Sequence, residues 1–363
     1  MFSPADEHFM AHALRLAARG LFTATPNPRV GCVIVRDGAI VGEGFHERAG
    51  EPHAEIHALH AAAERTAGAT VYLTLEPCCH HGRTPPCVDA LVAAKVGRVV
   101  AAMQDPNPKV AGDGFARLRA AGVDVEAGLL EDEARELNIG FVARMTRGRP
   151  WVRAKLAASL DGRTALINGE SQWITGAQAR ADGHAWRARA CAILTGVGTV
   201  LQDDPQLSVR AVDTPRQPLR VIVDRHGQTP ASARVLADAN ALMVTAGERN
   251  AAWPATLEVL ALPDANGRVD LAAMMHALAG RGINELHVEA GAKLSGALLD
   301  AGLIDELLLY MAPALIGDPA RGMFERAAPL RALGARTVLA WHSVERIGGD
   351  LRVIARVSGT GGT

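Results

Sequence analysis

The residues best suited to chemistry lie in the first half of the chain. His53 and Glu55 stand two positions apart, and Cys78 and Cys87 follow further on. One imidazole and two thiolates can hold Zn²⁺ and leave a fourth position for a water, which the metal makes acidic. Glu55 is not a ligand in this pattern and could carry the proton of that water to a substrate. The sequence therefore predicts a catalytic zinc site with His53, Cys78 and Cys87 as ligands and Glu55 as proton shuttle.

Three neighbouring side chains leave alternatives open. His57 could be a rival ligand, although His-Ala-Glu-Ile-His has its glutamate misplaced for the metalloprotease pattern His-Glu-x-x-His. Cys79 could compete with Cys78 as a ligand. If Cys79, His80 or His57 supplied a fourth ligand, the site would be that of a structural zinc module, because structural zinc sites usually have four protein ligands.

Composition and charge narrow the class of protein. A length of 363 residues predicts two domains, or three, at roughly 150 residues per domain. Hydrophobic residues at 48% and charged residues at 21% are typical of a globular chain and exclude long disorder. The net charge is −1, and residues 1–150 hold 16 Lys+Arg against 18 Asp+Glu, which disfavours binding to nucleic acid. Aromatic residues, at 4%, are too few to suggest base stacking.

The cysteines and the apolar runs bear on the compartment. Residues 1–150 hold eight of the 13 histidines and four of the five cysteines, and an odd number of cysteines is not typical of a secreted disulfide framework. Residues 1–19 contain no apolar core of a signal peptide, and no apolar run is long enough to cross a membrane. We therefore expect a cytoplasmic protein that does not bind membranes.

Strands alternate with helices along residues 1–146, which predicts an α/β layered sheet. The turn Asp37-Gly38 predicts a hairpin between strands 30–35 and 40–44. Helices are predicted over 6–19, 53–65, 86–94 and 114–121, and further strands over 70–74, 98–102 and 123–126. His53 and Cys87 thus fall at the starts of two helices.

The segment Arg147-Gly148-Arg149-Pro150 interrupts this pattern and predicts a domain boundary. We expect one domain over 1–146 and another over 150–363. In the second domain, strands are predicted over 151–159, 192–196, 220–224, 285–289, 305–311 and 352–357, and helices over 177–189, 271–278 and 293–300.

Several motifs give the first domain a family resemblance. The segments Thr-Pro-Asn-Pro-Arg-Val-Gly at 25–31 and Asp-Pro-Asn-Pro-x-Val-x-Gly-x-Gly at 105–114 accompany eight residues between Cys78 and Cys87. With these features, residues 1–146 resemble the cytidine-deaminase superfamily, and in particular the pyrimidine deaminase of riboflavin biosynthesis. The resemblance implies a three-layer α/β domain in which Asn27, His46 and His80 bind the substrate. Cys79 departs from the serine usual in that branch.

The second domain carries glycine-rich segments that follow predicted strands. Residues 196–200 and 288–296 place glycines where backbone amides could approach a pyrophosphate. Lys155 lies inside an apolar strand, where lysine is unusual without a partner. Gly-x-Gly without a third glycine does not support a Rossmann fold.

These segments together resemble the reductase of the riboflavin pathway, whose fold is similar to dihydrofolate reductase. The resemblance implies substrate contacts from Lys155, Ser171, Arg187, Asp203, Leu207, Arg210 and Glu289. It implies NADPH contacts from Ala158, Trp173, Thr199, Arg225, Gly291, Ala292, Lys293, Leu294, Ser295, Gly296 and Ala297. Ala292 stands where the family often has glycine or proline, and the preference for NADPH over NADH follows from the resemblance alone.

The two resemblances together imply a bifunctional enzyme, a zinc hydrolase and an oxidoreductase. A diaminopyrimidinone ribosyl phosphate would be deaminated first, and NADPH would then reduce its ribosyl group to a ribityl chain. Arg187 and Arg210 are candidates for holding the substrate phosphate. We expect a small-molecule substrate, no nucleic acid and a homo-oligomer. The alternatives are a tRNA adenosine deaminase, or a structural zinc module fused to an unrelated reductase-like domain.

Overall fold

Two separate sheets organise the two halves of the chain. The computed structural model describes residues 2–80 and 86–358. The chain divides into a first unit, Met1–Gly148, and a second unit, Arg149–Thr363. Within the described residues, no helix combines the length and the apolar character needed to span a membrane.

The first unit contains a five-stranded mixed sheet in the order β2-β1-β3-β4-β5. Its strands are β1 (Gly31–Arg36), β2 (Ala39–Phe45), β3 (Thr70–Leu73), β4 (Arg98–Ala101) and β5 (Asp124–Ala127). Strands β1 and β2 form an antiparallel hairpin, whereas β3, β4 and β5 run parallel. Asp37 and Gly38, with φ of 51° and 76°, make the predicted hairpin turn.

Helices cover both faces of this sheet and make three layers. The helices are α1 (Pro4–Ala18), α2 (Ala54–Ala62), α3 (Cys87–Ala93), α4 (Asp113–Ala120), α5 (Glu131–Leu137) and α6 (Ile139–Arg147). Because side chains alternate along a strand, Cys32 and Ile34 pack with α2, α3 and α4. Val33 and Val35 point the other way and pack with α1, α5 and α6.

The second unit is built on a nine-stranded sheet in the order β11-β10-β9-β8-β12-β6-β13-β16-β15. Its strands are β6 (Trp151–Ser159), β8 (Ala192–Gly196), β9 (Leu219–Val223), β10 (Ala241–Thr245), β11 (Glu258–Ala261), β12 (Glu285–Val288), β13 (Glu306–Ala312), β15 (Leu339–Ile347) and β16 (Asp350–Val357), and β7 (Arg163–Leu166) pairs with β14 (Ala320–Gly322) in a small separate sheet. The strands from β11 to β13 run parallel, and β16 and β15 close one edge as an antiparallel hairpin. The helices are α7 (Ala177–Arg189), α8 (Val197–Asp203), α9 (Leu271–Gly280) and α10 (Ala292–Asp300).

A buried network of charges ties the middle of the second sheet together. The Arg153 side chain on β6 is 2% exposed and donates to Glu306 on β13 over 2.5 Å and to Glu285 on β12 over 3.0 Å. Its guanidinium carbon lies 4.4 Å from the ring centre of Trp186 on α7. Three strands and one helix are therefore joined through a single cation.

The α/β class predicted for both domains is confirmed, and most predicted elements lie within a few residues of their observed positions. Helices α5, α6 and α8 and strands β7, β10, β11, β14 and β15 were not predicted. Helix α6 ends at Gly148, whose φ of 65° is the left-handed conformation that glycine favours after a helix.

We predict that Arg153→Met lowers the free energy of unfolding of the second unit by about 3–5 kcal/mol, because two buried carboxylates lose their shared cation. All five tryptophans lie in the second unit, so tryptophan fluorescence during urea unfolding follows that unit alone. The exposed Arg331 provides the matched control Arg331→Met, for which a change within about 0.5 kcal/mol is expected. Equal unfolding midpoints for the two variants would show that the network adds little stability.

Candidate active sites

Two helix starts and one loop bring the predicted zinc ligands together. His53 is the residue before α2, Cys87 is the first residue of α3, and Cys78 lies in the loop that follows β3. Helix N-termini carry partial positive charge, which favours thiolates placed beside them. The fold thus gathers the ligands where an anionic sulfur is stabilised.

The distances within this cluster fit a zinc ion. Cys78 Sγ lies 3.6 Å from His53 Nδ1, and Cys87 Sγ lies 3.3 Å from the same nitrogen. Tetrahedral zinc with bonds of about 2.3 Å to sulfur and about 2.1 Å to nitrogen would place such atoms about 3.6 Å apart. The three ligand atoms all lie within 4.8 Å of one another. Their chemistry and spacing therefore suit Zn²⁺.

The rival ligands stay outside the cluster. Among the described residues, His53, Cys78 and Cys87 are the only group of three or more side chains placed to hold a metal. The thiol of Cys79 is half-buried, and its backbone carbonyl accepts a hydrogen bond from Arg117. Among residues 2–80 and 86–358, no fourth side chain joins these three ligands.

The surroundings of the cluster shift the pKa values of its two thiols in opposite directions. The hydrogen bond from Cys87 is the main cause that lowers the pKa of Cys78, against the opposing effect of burial. The same contact, with burial, raises the pKa of Cys87. The hydrogen bond to Cys78 raises the pKa of His53.

Glu55 is placed in the first turn of α2 beside the ligands. Its side chain is 3% exposed, and burial raises the pKa of its carboxyl group, with a further contribution from Cys78. A carboxyl group with a raised pKa can both take up and release a proton near neutral pH. This placement agrees with the proton-shuttle role predicted from His-x-Glu.

Asn27 and His46 are brought together next to the cluster. Asn27 Nδ2 lies 3.0 Å from His46 Nε2, and His46 Nδ1 lies 3.2 Å from the carbonyl oxygen of Pro52. The His46 ring is 5.3 Å from that of His53. His80 is exposed at the end of a described segment, and residues 81–85 of the predicted motif lie outside the described residues.

Sequence reasoning gave no role to Glu76, which orders the loop next to the zinc ligands. Its carboxylate is buried and accepts hydrogen bonds from the backbone amides of Asp105, Gly112 and Phe115. The loop after β4 and the start of α4 are thereby tied to the segment that carries Cys78. In the sequence, this role could have been suggested by the glutamate that precedes Pro-Cys and by the glycines of the segment 105–114.

A second cluster of charges lies where the middle of β6 faces the carboxyl end of β12. Arg187 on α7 makes a two-pronged ion pair with Glu289, one bond of which is 2.8 Å long, and donates to the carbonyl of Ser208. Burial would raise the pKa of Glu289, but Arg187, His287 and Lys155 lower it well below its usual value. Burial lowers the pKa of Lys155. The structure thus brings Lys155, Arg187 and Glu289 into one site.

The other predicted substrate residues differ in their exposure. Leu207 is buried, Ser171 is half-buried, and Asp203 is exposed at the end of α8. Arg210 is exposed and donates to Gln206 and Ser208. None of these contacts tests a role in substrate binding, which stays a prediction for all four.

The predicted cofactor residues form a glycine-lined start of helix α10. Gly291 precedes that helix, and Ala292, Lys293, Leu294, Ser295, Gly296 and Ala297 make its first turns. A Cβ on Gly196, at the end of β8, would lie 3.3 Å from Leu294, and one on Gly291 would lie 3.9 Å from Thr199. These two strand ends therefore lie close to the same helix start, as a bound pyrophosphate requires.

The remaining cofactor candidates differ in their surroundings. Ala158 is buried in β6, whereas Trp173 is 69% exposed, with the guanidinium carbon of Arg180 at 4.5 Å from its ring centre. Arg225 is exposed and donates to the carbonyl oxygens of Asn266 and Gly267. Its guanidinium therefore already has partners in the protein, and a contact with NADPH stays a prediction.

Comparison with known proteins gives the class of each unit. Residues 3–103 match the cytidine and deoxycytidylate deaminase zinc-binding region, and residues 150–353 match the RibD C-terminal domain. Riboflavin biosynthesis protein RibD of Escherichia coli is 54% identical over 331 residues, which is 88% of this chain and 90% of the relative. That of Haemophilus influenzae is 47% identical and is covered over 97% of both chains.

Solved structures agree with these relatives. Acinetobacter baumannii RibD is 44% identical and aligns with a TM-score of 0.92 over 98% of this chain and 99% of the other. A Thermotoga maritima protein described as a diaminohydroxyphosphoribosylaminopyrimidine deaminase and 5-amino-6-(5-phosphoribosylamino)uracil reductase is 35% identical. It aligns with a TM-score of 0.88 over 97% and 99% of the two chains.

The fold and the zinc site define a deaminase unit followed by a reductase unit on one chain. The chain belongs to the RibD family of riboflavin biosynthesis proteins. The prediction of a bifunctional enzyme that is both hydrolase and oxidoreductase is confirmed, as are Zn²⁺ and NADPH as the cofactors that fit its two units.

We predict that Cys78→Ser removes most of the zinc, whereas Cys79→Ser keeps about one ion per chain, because of these two neighbouring cysteines Cys78 is the one whose sulfur lies beside His53. Metal analysis of the purified variants measures this difference. The pair is matched in chemistry and neighbouring in sequence. If the Cys79 variant lost its zinc and the Cys78 variant retained it, the ligand would be Cys79 and the prediction would be wrong.

Proposed function

We propose that the first unit deaminates a diaminopyrimidinone ribosyl phosphate, and that the second unit reduces the ribosyl group of the product with NADPH. The Thermotoga maritima relative carries both of these activities in its name. The observation that carries the proposal is the pairing of a three-ligand metal cluster with a buried, proton-accepting Glu55 in the deaminase unit.

In the deaminase unit, His53, Cys78 and Cys87 would hold the zinc ion. When bound, zinc supplies the acidity that makes a water a nucleophile near neutral pH. Glu55 takes up a proton at its carboxylate and returns it to the amino group that leaves as ammonia. Asn27 and His46 lie beside His53, and we assign them, together with His80, to recognition of the substrate.

In the reductase unit, we assign Lys155 and Glu289 to the polar part of the substrate site. NADPH supplies the hydride when it is bound. Among the residues that the structure describes, none makes a hydrogen bond to the Lys155 ammonium, although its charge interacts with Glu289 and Arg187. A half-buried cation without a hydrogen-bond partner is suited to a substrate oxygen. We assign Ser171, Asp203, Leu207 and Arg210 as further substrate contacts.

The other functions considered from the sequence are not favoured. A tRNA adenosine deaminase leaves the RibD C-terminal domain over residues 150–353 unexplained. A structural zinc module would need a fourth ligand, which the described residues do not supply. A cytoplasmic location stays a prediction, supported by five free cysteines that form no disulfide.

We also infer that the chain forms a homo-oligomer through the outer strand of the second sheet. Strand β15 is an edge strand, and Trp341 and Val344 on it are 74% and 57% exposed. An exposed apolar edge strand favours pairing with another chain. A second copy that presents the same strand would satisfy this edge by two-fold symmetry.

We predict that Glu55→Gln lowers the deamination rate by at least about 100-fold, because the amide cannot accept the proton. Ammonia release from the diaminopyrimidine substrate measures this rate. Zinc content and NADPH-dependent reduction of the deaminated product should stay unchanged, which makes the second unit an internal control for folding. Normal ammonia release by the zinc-loaded variant would exclude Glu55 as the proton shuttle.

We predict that Trp341→Glu converts the oligomer to monomers, because a charge on the edge strand opposes its pairing. Light scattering after size-exclusion chromatography measures the molar mass. Leu315→Glu, at a residue that is 75% exposed outside β15, is the matched control and should keep the mass of the parent chain. A parent chain that is already monomeric, or a Trp341 variant of unchanged mass, would contradict this interface.

A further inference from the structure

The segment 206–210 carries two of the proposed reductase contacts but has no regular secondary structure. Leu207 within it has a φ of 48°, a left-handed conformation that is unfavourable for a residue with a branched side chain. Its side chain is nevertheless buried. A conformation of this kind persists only where surrounding contacts hold it.

Those contacts come from side chains outside the segment. The Val209 amide donates to Gln217 Oε1 over 2.7 Å, and Gln217 Nε2 donates back to the Val209 carbonyl over 3.1 Å. Arg187 donates to the carbonyl of Ser208 over 3.2 Å, and the Arg210 amide donates to His184 Nδ1 over 3.4 Å. Of the side chains of Gln217, Arg187 and His184, that of Gln217 contacts both the donor and the acceptor of one residue.

Gln217 is itself held from the neighbouring strand. It lies two residues before β9, and the Asn240 side chain donates to its backbone carbonyl and to that of Pro218. The carboxamide makes the two hydrogen bonds that a neighbouring strand would make to Val209, and it thereby links the start of β9 to the irregular segment 206–210. Val209, the residue it holds, is 6% exposed and stands between Leu207 and Arg210.

We propose that Gln217 is a positioning residue for the reductase: by fixing Val209, it holds Leu207 and Arg210 where they meet the pyrimidine substrate. The proposal rests on the proposed function, since the substrate is the deaminated ribosyl phosphate. Gln217 is not one of the residues assigned above to the substrate or to the cofactor. It acts by keeping the binding-competent form of the segment populated, and this population scales the apparent affinity.

The test is steady-state kinetics of Gln217→Met, a side chain of similar length that makes neither hydrogen bond. We expect KM for the pyrimidine substrate to rise about tenfold, with kcat and KM for NADPH within about twofold of the parent. Gln217→Glu, which keeps an acceptor for the Val209 amide but loses the donor, should give an intermediate KM. Gln178→Met, at an exposed glutamine of the same unit, is the matched control and should match the parent.

The deaminase activity of each variant, measured on the same sample, reports whether the chain is folded, and tryptophan fluorescence does so for the second unit. An unchanged KM for the pyrimidine in both Gln217 variants, or an equal rise in KM for NADPH, would overturn the positioning role. A parent chain that oxidises no NADPH with the deaminated product would instead refute the proposed function. The two failures are therefore distinguishable.

Discussion

The deaminase unit depends on the meeting of two helix starts at one point. His53 stands before α2 and Cys87 begins α3, so each ligand has the partial positive charge of a helix end beside it. Glu55 belongs to the first turn of the same α2, and its burial follows from that position. Holding three ligand atoms within 4.8 Å therefore also places the proton-accepting carboxyl group.

Two cations of the reductase unit lie on one strand, β6. Arg153 and Lys155 lie two residues apart on β6, so their side chains point to the same side of the sheet. Arg153 is saturated by Glu285 and Glu306 and stabilises the fold. Lys155 is half-buried nearer the carboxyl end, without a hydrogen bond among the described residues, and is the one we propose for the substrate. The same strand thus carries one cation paired within the sheet and, two residues on, the cation proposed to meet the substrate.

The sequence was sufficient for the features that depend on local rules. The hairpin turn at Asp37-Gly38, the strand Trp151–Ser159 and the helix Ala177–Arg189 follow from turn chemistry and periodicity. The zinc ligands followed from residue type and spacing because metal coordination tolerates few alternatives.

Features that depend on distant partners could not be predicted in this way. Strand β15 is mostly exposed, so it lacks the apolar alternation by which strands are recognised. The role of Glu76 needs three backbone amides supplied by residues 105–115, and that of Gln217 needs Val209 to lie beside it. The guanidinium of Arg225 is held by two carbonyl groups some forty residues away along the chain. Such pairings are set by the tertiary fold.

The central claim is that one chain carries two sites that act in sequence on one substrate. The most direct measurement follows ammonia and NADPH together while the zinc-loaded chain consumes the diaminopyrimidine substrate. The account predicts that ammonia appears first, that NADPH oxidation follows after a lag, and that the two amounts become equal at completion. Oxidation of NADPH that precedes ammonia release, or that proceeds in full without it, would contradict the account.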